Sequence, residues 1–120
     1  MNEMDKTLRK SLLFDFYGGL LTSRQQAIYQ LYFHDDLSLA EISEQYDVSR
    51  QAIYDILKRT SQALEGYEEK LGLVAKYEKE IALLKDLDNF LARVGAMDVF
   101  GEEKGLINDL RFRIRELLEA

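Results

Sequence analysis

The chain contains no proline among its 120 residues. Proline interrupts helices more strongly than any other residue, because its ring fixes φ and removes a backbone hydrogen-bond donor. Leucine, glutamate, lysine, alanine and arginine, which all favour helices, are abundant. We therefore predict an all-α protein whose helices are bounded by glycines and capping side chains.

The composition excludes several kinds of chemistry. There is no cysteine, so disulfides, thiolate metal sites and cysteine nucleophiles are ruled out. His34 is the one histidine, and no nucleophile, base and orienting group occur together. We predict no enzymatic activity, no cofactor and no metal. The apolar stretch SLLFDFYGGLL is short and broken by Asp15, which predicts neither a signal peptide nor a membrane span.

The net charge of −6 is unusual for a protein that grips nucleic acid, because phosphates attract basic surfaces. The acid is unevenly distributed. Residues 1–60 carry 7 Lys/Arg and 9 Asp/Glu, whereas residues 61–120 carry 9 Lys/Arg and 13 Asp/Glu. The charge of the N-terminal half is therefore close to balanced, so the net charge of the chain does not exclude a nucleic-acid contact there.

Glycine and capping residues divide the N-terminal half into helices. We predict a first helix from Lys6 to Tyr17, ended by Gly18-Gly19. Thr22, with Gln25 three residues later, forms the capping-box pattern that opens a second helix. The buried stripe predicted for that second helix consists of Ile28, Leu31 and Tyr32.

The next two helices follow so closely that they must cross at a large angle. Ser38 and Glu41 repeat the capping-box pattern, and Ser49 offers a fresh N-cap after Asp47-Val48. The helix that starts at Arg50 is expected to bury Ala52, Ile53, Ile56 and Leu57. Two short helices joined by so tight a turn predict a helix-turn-helix.

The stretch VSRQAIYD at the start of the second of these helices has the form of a recognition helix. Arginine can donate to guanine and glutamine can pair with adenine, so Arg50 and Gln51 suit base readout in the major groove of double-stranded DNA. Tyr54 would assist, and Lys58 and Arg59 suit phosphate contacts. The predicted DNA-binding residues are Ser38, Ser49, Arg50, Gln51, Tyr54, Lys58 and Arg59. Exposed arginine and glutamine on an arbitrary helix are, however, most often merely solvated.

Beyond Thr60, apolar residues alternate at steps of three and four from Leu64 to Leu91, as in a coiled coil or a helical hairpin. We expect Gly95 to Gly101 to form a reversal before a last helix from Glu102 to Glu119. The inward side chains predicted for that helix are Leu106, Leu110, Ile114, Leu117 and Leu118. The predicted division is a helix-turn-helix domain at 1–62 and a helical extension at 63–120.

The extension can fold back on its own chain or pair with a second copy. We expect a homodimer, because natural DNA readers gain specificity by spanning two half-sites about 34 Å apart.

Two further clusters have packing interpretations. Phe14, Phe16 and Tyr17 suggest core packing, with a stacking platform for single-stranded bases as the alternative. The acidic cluster is interpreted as a solvated helix face, because lysines lie among its members at helical spacing. This cluster consists of Glu65, Glu68, Glu69, Glu78 and Glu80.

Residues 21–60 resemble the region-four helix-turn-helix of bacterial σ70-type sigma factors, which reads a promoter element. Apolar residues stand where that motif requires them, and Ser49 stands at its cap. Ser43 and Asp47 depart from the alanine and glycine common there, and both are tolerable replacements. Asp55 also departs, since it places an acid where such proteins often carry a base. It would repel phosphate unless it pairs with Arg59 or accepts a hydrogen bond from cytosine.

Over essentially its full length the chain resembles the YlxM family, small proteins of Gram-positive bacteria to which DNA binding is attributed. The resemblance implies a cytoplasmic protein, encoded beside the signal recognition particle GTPase, with a regulatory or accessory role in that targeting pathway. The family's motif carries over at Ser49, Arg50, Gln51 and Tyr54, and no catalytic residue is implied. The alternative is an adaptor that binds the signal recognition particle or its RNA through the helix-turn-helix and acidic tail.

Overall fold

A computed structural model describes residues 3–97 and 101–119, with side chains from Lys6 onward. Throughout these residues the regular structure is helical, which confirms the predicted all-α class. The α-helices are α1 (Glu3–Tyr17), α2 (Ser23–Phe33), α3 (Leu39–Tyr46), α4 (Arg50–Leu71), α5 (Leu73–Gly95) and α6 (Glu103–Glu119). A short 3₁₀ turn, Gly18–Leu20, follows α1, so the glycine pair ends that helix as predicted.

The chain forms two compact units, Met1–Val74 and Ala75–Ala120. In the first unit, α1, α2 and α3 pack on α4 around an apolar core. Its fully buried members include Ile28 from α2, Ile42 from α3, and Ile53 and Leu64 from α4. Since α4 contributes along most of its length, it is the central helix of this unit. It continues across the predicted domain boundary at residues 62 and 63 to Leu71.

The three predicted caps are confirmed. The Gln25 amide donates to the Thr22 hydroxyl at 3.1 Å, and the Glu41 amide donates to the Ser38 hydroxyl at 3.1 Å. In both cases the side chain of the third residue accepts from the N-cap amide, which completes a capping box. The Ser49 hydroxyl accepts from the amide of Ala52 at 3.0 Å. These local bonds set where α2, α3 and α4 begin.

The boundary between α4 and α5 lies at Gly72, which has the left-handed φ of +64° that favours glycine at a helix end. Its N–H donates to the Glu68 carbonyl at 2.8 Å. Gly66, by contrast, lies inside α4 without interrupting it. Of these two glycines, Gly72 is therefore the one that ends a helix.

Glu68 corrects the interpretation of the acidic cluster as a solvated face, because it is buried. The Tyr17 hydroxyl donates to Glu68 Oε1 at 2.6 Å, and the Val74 N–H donates to the same oxygen at 2.9 Å. The Leu73 N–H in turn donates to the Tyr17 hydroxyl at 3.1 Å. This set of bonds, here called the Glu68 node, ties α1 and α4 to the first turn of α5. It also places a carboxylate at the positive end of the α5 dipole.

The buried stripe of α2 and the aromatic cluster of α1 differ in part from those predicted. Tyr29 is buried on α2, whereas Tyr32 is exposed. Tyr29 stacks on Phe14, with ring centroids 5.1 Å apart, so the aromatic cluster contributes to packing in this unit. Phe16, however, is exposed. Spacing alone indicated the apolar side of each helix, but the position of the neighbouring helices determined which of its residues are covered.

The second unit contains α5 from Ala75 onward and α6. Asp88 accepts from Arg111 at 3.0 Å and pairs with Arg115 at 3.6 Å, which joins the two helices. Ile107 and Ile114 are the apolar side chains buried among its described residues. Leu106 and Leu117, predicted inward, are exposed. Of the predicted reversal, residues 98–100 lie outside the described part of the chain. No helix in the described ranges is long and apolar enough to cross a membrane.

Because two tyrosines are buried, we expect the protein to lose stability at alkaline pH. Burial, aided by the nearby charge of Glu65, raises the pKa of Tyr29 to about 12, and burial and the bond to Glu68 raise the pKa of Tyr17 above 10. A raised pKa means that folding favours the neutral phenol. The associated stability is therefore complete below pH 10 and is lost as the pH rises through the folded-state pKa values.

We expect tyrosinate absorbance to show tyrosines that ionise only well above pH 10, together with loss of helical circular dichroism as the pH approaches 12. Tyr29→Phe should remove part of this late phase. A single transition of all seven tyrosines near pH 10, with the helices intact, would contradict it.

Candidate nucleic-acid interface

α3 and α4 form the predicted helix-turn-helix. Ile42 of α3 and Ile53 of α4 are both fully buried where the two helices pack. Ser43, which replaces the common alanine, is also buried, and its hydroxyl donates to the Ala40 carbonyl at 2.8 Å. The serine is tolerated because its added polar group is satisfied within its own helix.

The turn between these helices depends on Asp47, which adopts a left-handed φ of +54°. The Val48 N–H donates to the Ser43 carbonyl at 3.1 Å, the bond expected in a Schellman-type helix end. Aspartate visits this region more readily than most residues, so it can replace the glycine common at this position. Ser49 then caps α4 two residues later, which fixes the direction in which the α4 N-terminus emerges.

The outer surface of α4 carries the predicted contact residues. Arg50, Tyr54 and Lys58 follow each other at four-residue intervals, with Gln51 and Arg59 beside them. At about 100° per residue, these five positions fall within half of the helix circumference. All five are exposed. In the described part of the chain, no hydrogen bond or ion pair holds the side chains of Arg50, Lys58 or Arg59.

One member of this surface is engaged within the helix. The Gln51 side-chain amide donates to Asp55 Oδ1 at 3.0 Å, and Asp55 is half-buried. Asp55 therefore takes Gln51 as its partner rather than Arg59, which the sequence offered four residues further on. The bond occupies one of the two N–H donors of the amide that Gln51 would present to adenine. It leaves Arg50 as the base-reading side chain without a partner in its own helix.

The two helix N-termini differ in charge. At α3 the Ser38 N–H donates to the Glu41 side chain at 3.0 Å, and this backbone bond lowers the pKa of Glu41. The carboxylate is therefore held ionised beside Ser38, where its charge would repel a phosphate and so opposes the predicted DNA contact of that residue. The first turn of α4, which follows Ser49, contains no acid. Of the two N-termini, that of α4 is the better suited to an anion.

A groove of about 500 Å³ adjoins the outer surface of α4. Its aromatic and aliphatic lining includes Tyr32, Phe33, Leu39 and Tyr54, and Lys10 and Lys58 also line it. Lys10 and Tyr32 were not predicted as surface neighbours of the recognition helix. Lys10 lies on α1 and carries no local signal, whereas Tyr32 was assigned to the buried stripe. Around α2, Tyr32 lies between Ile28 and Tyr29, so its exposure could not be predicted from helical spacing.

Comparison with known proteins agrees with this geometry. The family model of UPF0122, described as "Putative helix-turn-helix protein, YlxM / p13 like", matches residues 4–97. The chain belongs to the UPF0122 family. The match spans the whole helix-turn-helix and all of α5, whereas α6 lies beyond it. It confirms the YlxM resemblance, and the family is described as one of helix-turn-helix proteins.

Three curated members of the UPF0122 family illustrate the similarity. UPF0122 protein BH2485 of Halalkalibacterium halodurans is 57% identical over 70% of this chain and 77% of its own length. UPF0122 protein GK1195 of Geobacillus kaustophilus is 50% identical over 75% and 82%, respectively. UPF0122 protein GWCH70_1086 of a Geobacillus species is 43% identical over 90% of this chain and 94% of its own length.

Proposed function

We propose that this protein is a regulatory protein that binds double-stranded DNA, with α4 in the major groove. Arg50 would read a base, and Gln51 would do so once released from Asp55. Tyr54 would contact a thymine methyl group or a phosphate. Lys58, Arg59 and the α4 N-terminus at Ser49 would position the helix on the phosphates. Ser38 is the weakest member of the set, because Glu41 competes with a phosphate there.

The observation that carries this proposal is the free cationic surface of α4. Arginine and lysine side chains that already pair within the protein gain less from phosphate, because binding must first break the existing pair. Arg50 lies in the first turn of the second helix of a helix-turn-helix, the place from which such proteins reach base edges. The proposed arrangement follows the region-four mode of sigma factors, as a homodimer in the cytoplasm.

Selection of bound duplexes from a random pool tests the proposal, with the small RNA of the signal recognition particle as competitor. Enrichment of one shared motif, resistant to the RNA, is the expected result. Enrichment that the RNA abolishes would favour an RNA-binding role in the targeting pathway. Failure to retain any duplex at low salt, where phosphate contacts are strongest, would reject the proposal.

A second function, an adaptor that binds the signal recognition particle itself, is favoured by the acidic surface of α3. Glu41 and Glu44 are exposed on that helix, and Asp47 is exposed in the turn. Such a surface repels nucleic acid, whereas the apolar groove beside α4 could accept a protein segment. Retention of the purified particle protein, but of no DNA, would select this function over the first.

Removing the charge of Asp55 is expected to strengthen duplex binding several-fold. In Asp55→Asn the side chain keeps its size, one negative charge near the phosphates disappears, and the hold on Gln51 weakens. Fluorescence anisotropy with a labelled duplex at two salt concentrations measures the change. Glu69→Gln removes the same charge from an exposed position further along α4 and should change affinity less. Equal gains in the two variants would show that only net charge matters.

A further inference from the structure

α5 carries an apolar face that its own hairpin leaves uncovered. Leu83, Leu87 and Phe90 are exposed, by 66%, 43% and 52% respectively, and Val94 is half-buried. The four side chains follow each other at steps of four, three and four, so they form one continuous line along the helix. These four residues are called the α5 stripe.

The α6 helix lies against a different face of α5. Asp88 pairs with Arg111, and Gly95 approaches Ile107 so closely that a Cβ there would lie 3.3 Å from Cγ2. Asp88 and Gly95 lie about 100° or more around α5 from the centre of the α5 stripe. The contact between α5 and α6 therefore does not cover the α5 stripe.

The second unit contains too little buried apolar surface to explain a stable hairpin. Its described residues bury two apolar side chains, Ile107 and Ile114. Units of this size rarely gain enough stability from one small core and usually need a further apolar contact. The α5 stripe is a contiguous surface that such a contact would cover.

The charges beside the stripe indicate what covers it. Asp86 and Arg93 lie on the same flank, seven residues apart, and both are exposed. Within the described residues, neither forms an ion pair. When two copies of such a helix pack antiparallel, the flank that carries Asp86 and Arg93 on one copy faces the same flank of the other copy. Asp86 of each copy then lies opposite the partner's Arg93, which gives two ion pairs. In the same register Leu87 packs against the partner's Phe90.

A parallel pair would not match these charges. There each flank faces the opposite flank of the other helix, which on α5 carries Leu84 and Leu91. Asp86 and Arg93 would then lie against leucines, and both charges would be desolvated without a partner. Opposite charges seven residues apart on one flank thus suit an antiparallel second copy of this chain.

We propose that α5 is the homodimer interface, with the α5 stripes of two copies packed antiparallel and Asp86 of each copy paired with the partner's Arg93. This interface rests on the proposed function in one respect, since it identifies the surface through which the homodimer proposed there would form. It requires no DNA contact, so the two can fail separately.

Sedimentation velocity of the full chain without DNA tests the interface. The expected mass is twice the 14.0 kDa of the chain. Leu87→Lys should yield the monomer, because it buries a charge in the seam. Phe112→Lys is the matched control, since Phe112 is an exposed apolar residue on α6, away from the stripe. Circular dichroism of each variant checks that the helices persist. A monomeric parent chain, or a dimer that survives Leu87→Lys, would overturn the proposal.

A charge exchange tests the direction of pairing. Asp86→Arg and Arg93→Asp should each weaken the dimer at least about tenfold, because each places like charges opposite each other. The double variant restores opposite charges and should return to within a few-fold of the parent chain. Absence of this rescue would overturn the antiparallel pairing. A monomer that still selects a DNA motif would contradict the dimer and its interface but not the DNA binding, and a dimer that selects no motif would contradict the DNA binding but not the interface.

Discussion

Replacing Glu68 with alanine is expected to lower the free energy of unfolding by about 3 kcal/mol. The buried carboxylate accepts from the Tyr17 hydroxyl at 2.6 Å and from the Val74 N–H at 2.9 Å, so its removal leaves two donors without their acceptor. Each such donor costs about 1–3 kcal/mol when it cannot reach water. Urea unfolding followed by circular dichroism measures the loss.

Glu69→Ala is the matched control for this substitution. Glu69 is adjacent in α4 and exposed, so its replacement should change the free energy of unfolding by less than about 0.5 kcal/mol. Tyr17→Phe leaves one donor, the Leu73 N–H, without its acceptor and should cost less than Glu68→Ala, because Glu68 keeps its bond to Val74. Similar stability in the Glu68 and Glu69 variants would show that the Glu68 node contributes little to the fold.

Replacing Arg50 with alanine is expected to relax base preference at one position by about 1–3 kcal/mol, or roughly tenfold to a hundredfold. Its side chain is exposed and without a partner in the described residues, so the loss would reflect a DNA contact rather than damage to the fold. The measurement is titration against the selected duplex and against single-base variants of it.

Lys58→Ala supplies the contrast, because it removes a predicted phosphate contact from the same helix. It should weaken binding to all duplexes alike and reduce the dependence of affinity on salt by about one charge. If Arg50→Ala also weakened all duplexes equally, Arg50 would be a phosphate contact. Unchanged binding in both variants would refute the proposed interface.

The features that could be predicted from the sequence are those governed by residues near each other in the chain. Thr22, Ser38 and Ser49 cap their helices as predicted, because each hydroxyl bonds an amide three residues later. The helix-turn-helix could be predicted because the third helix, a three-residue connection and the new cap at Ser49 follow one another directly in the sequence. The outward positions of Arg50, Gln51 and Lys58 followed from the apolar spacing of α4.

The burial of Glu68, by contrast, could not be predicted from residues near it in the chain. The sequence around Glu68 predicts a solvent-exposed side chain, since charged residues lie close to it on both sides. Its partner Tyr17 is 51 residues away, and only the packing of α1 on α4 brings the two together. Tyr32 was assigned to the core but is exposed, for a related reason: helical spacing does not show which members of an apolar stripe the neighbouring helices cover.

The candidate site divides in the same way. The residue types on α4 and the helix that displays them follow from the sequence, because cap geometry and helical period are local properties. The engagement of Gln51 by Asp55 depends on rotamers that a four-residue spacing permits but does not require. The burial of Glu68, the groove beside Tyr54 and the uncovered α5 stripe were decided by how the helices assemble, since burial belongs to surfaces that distant segments share.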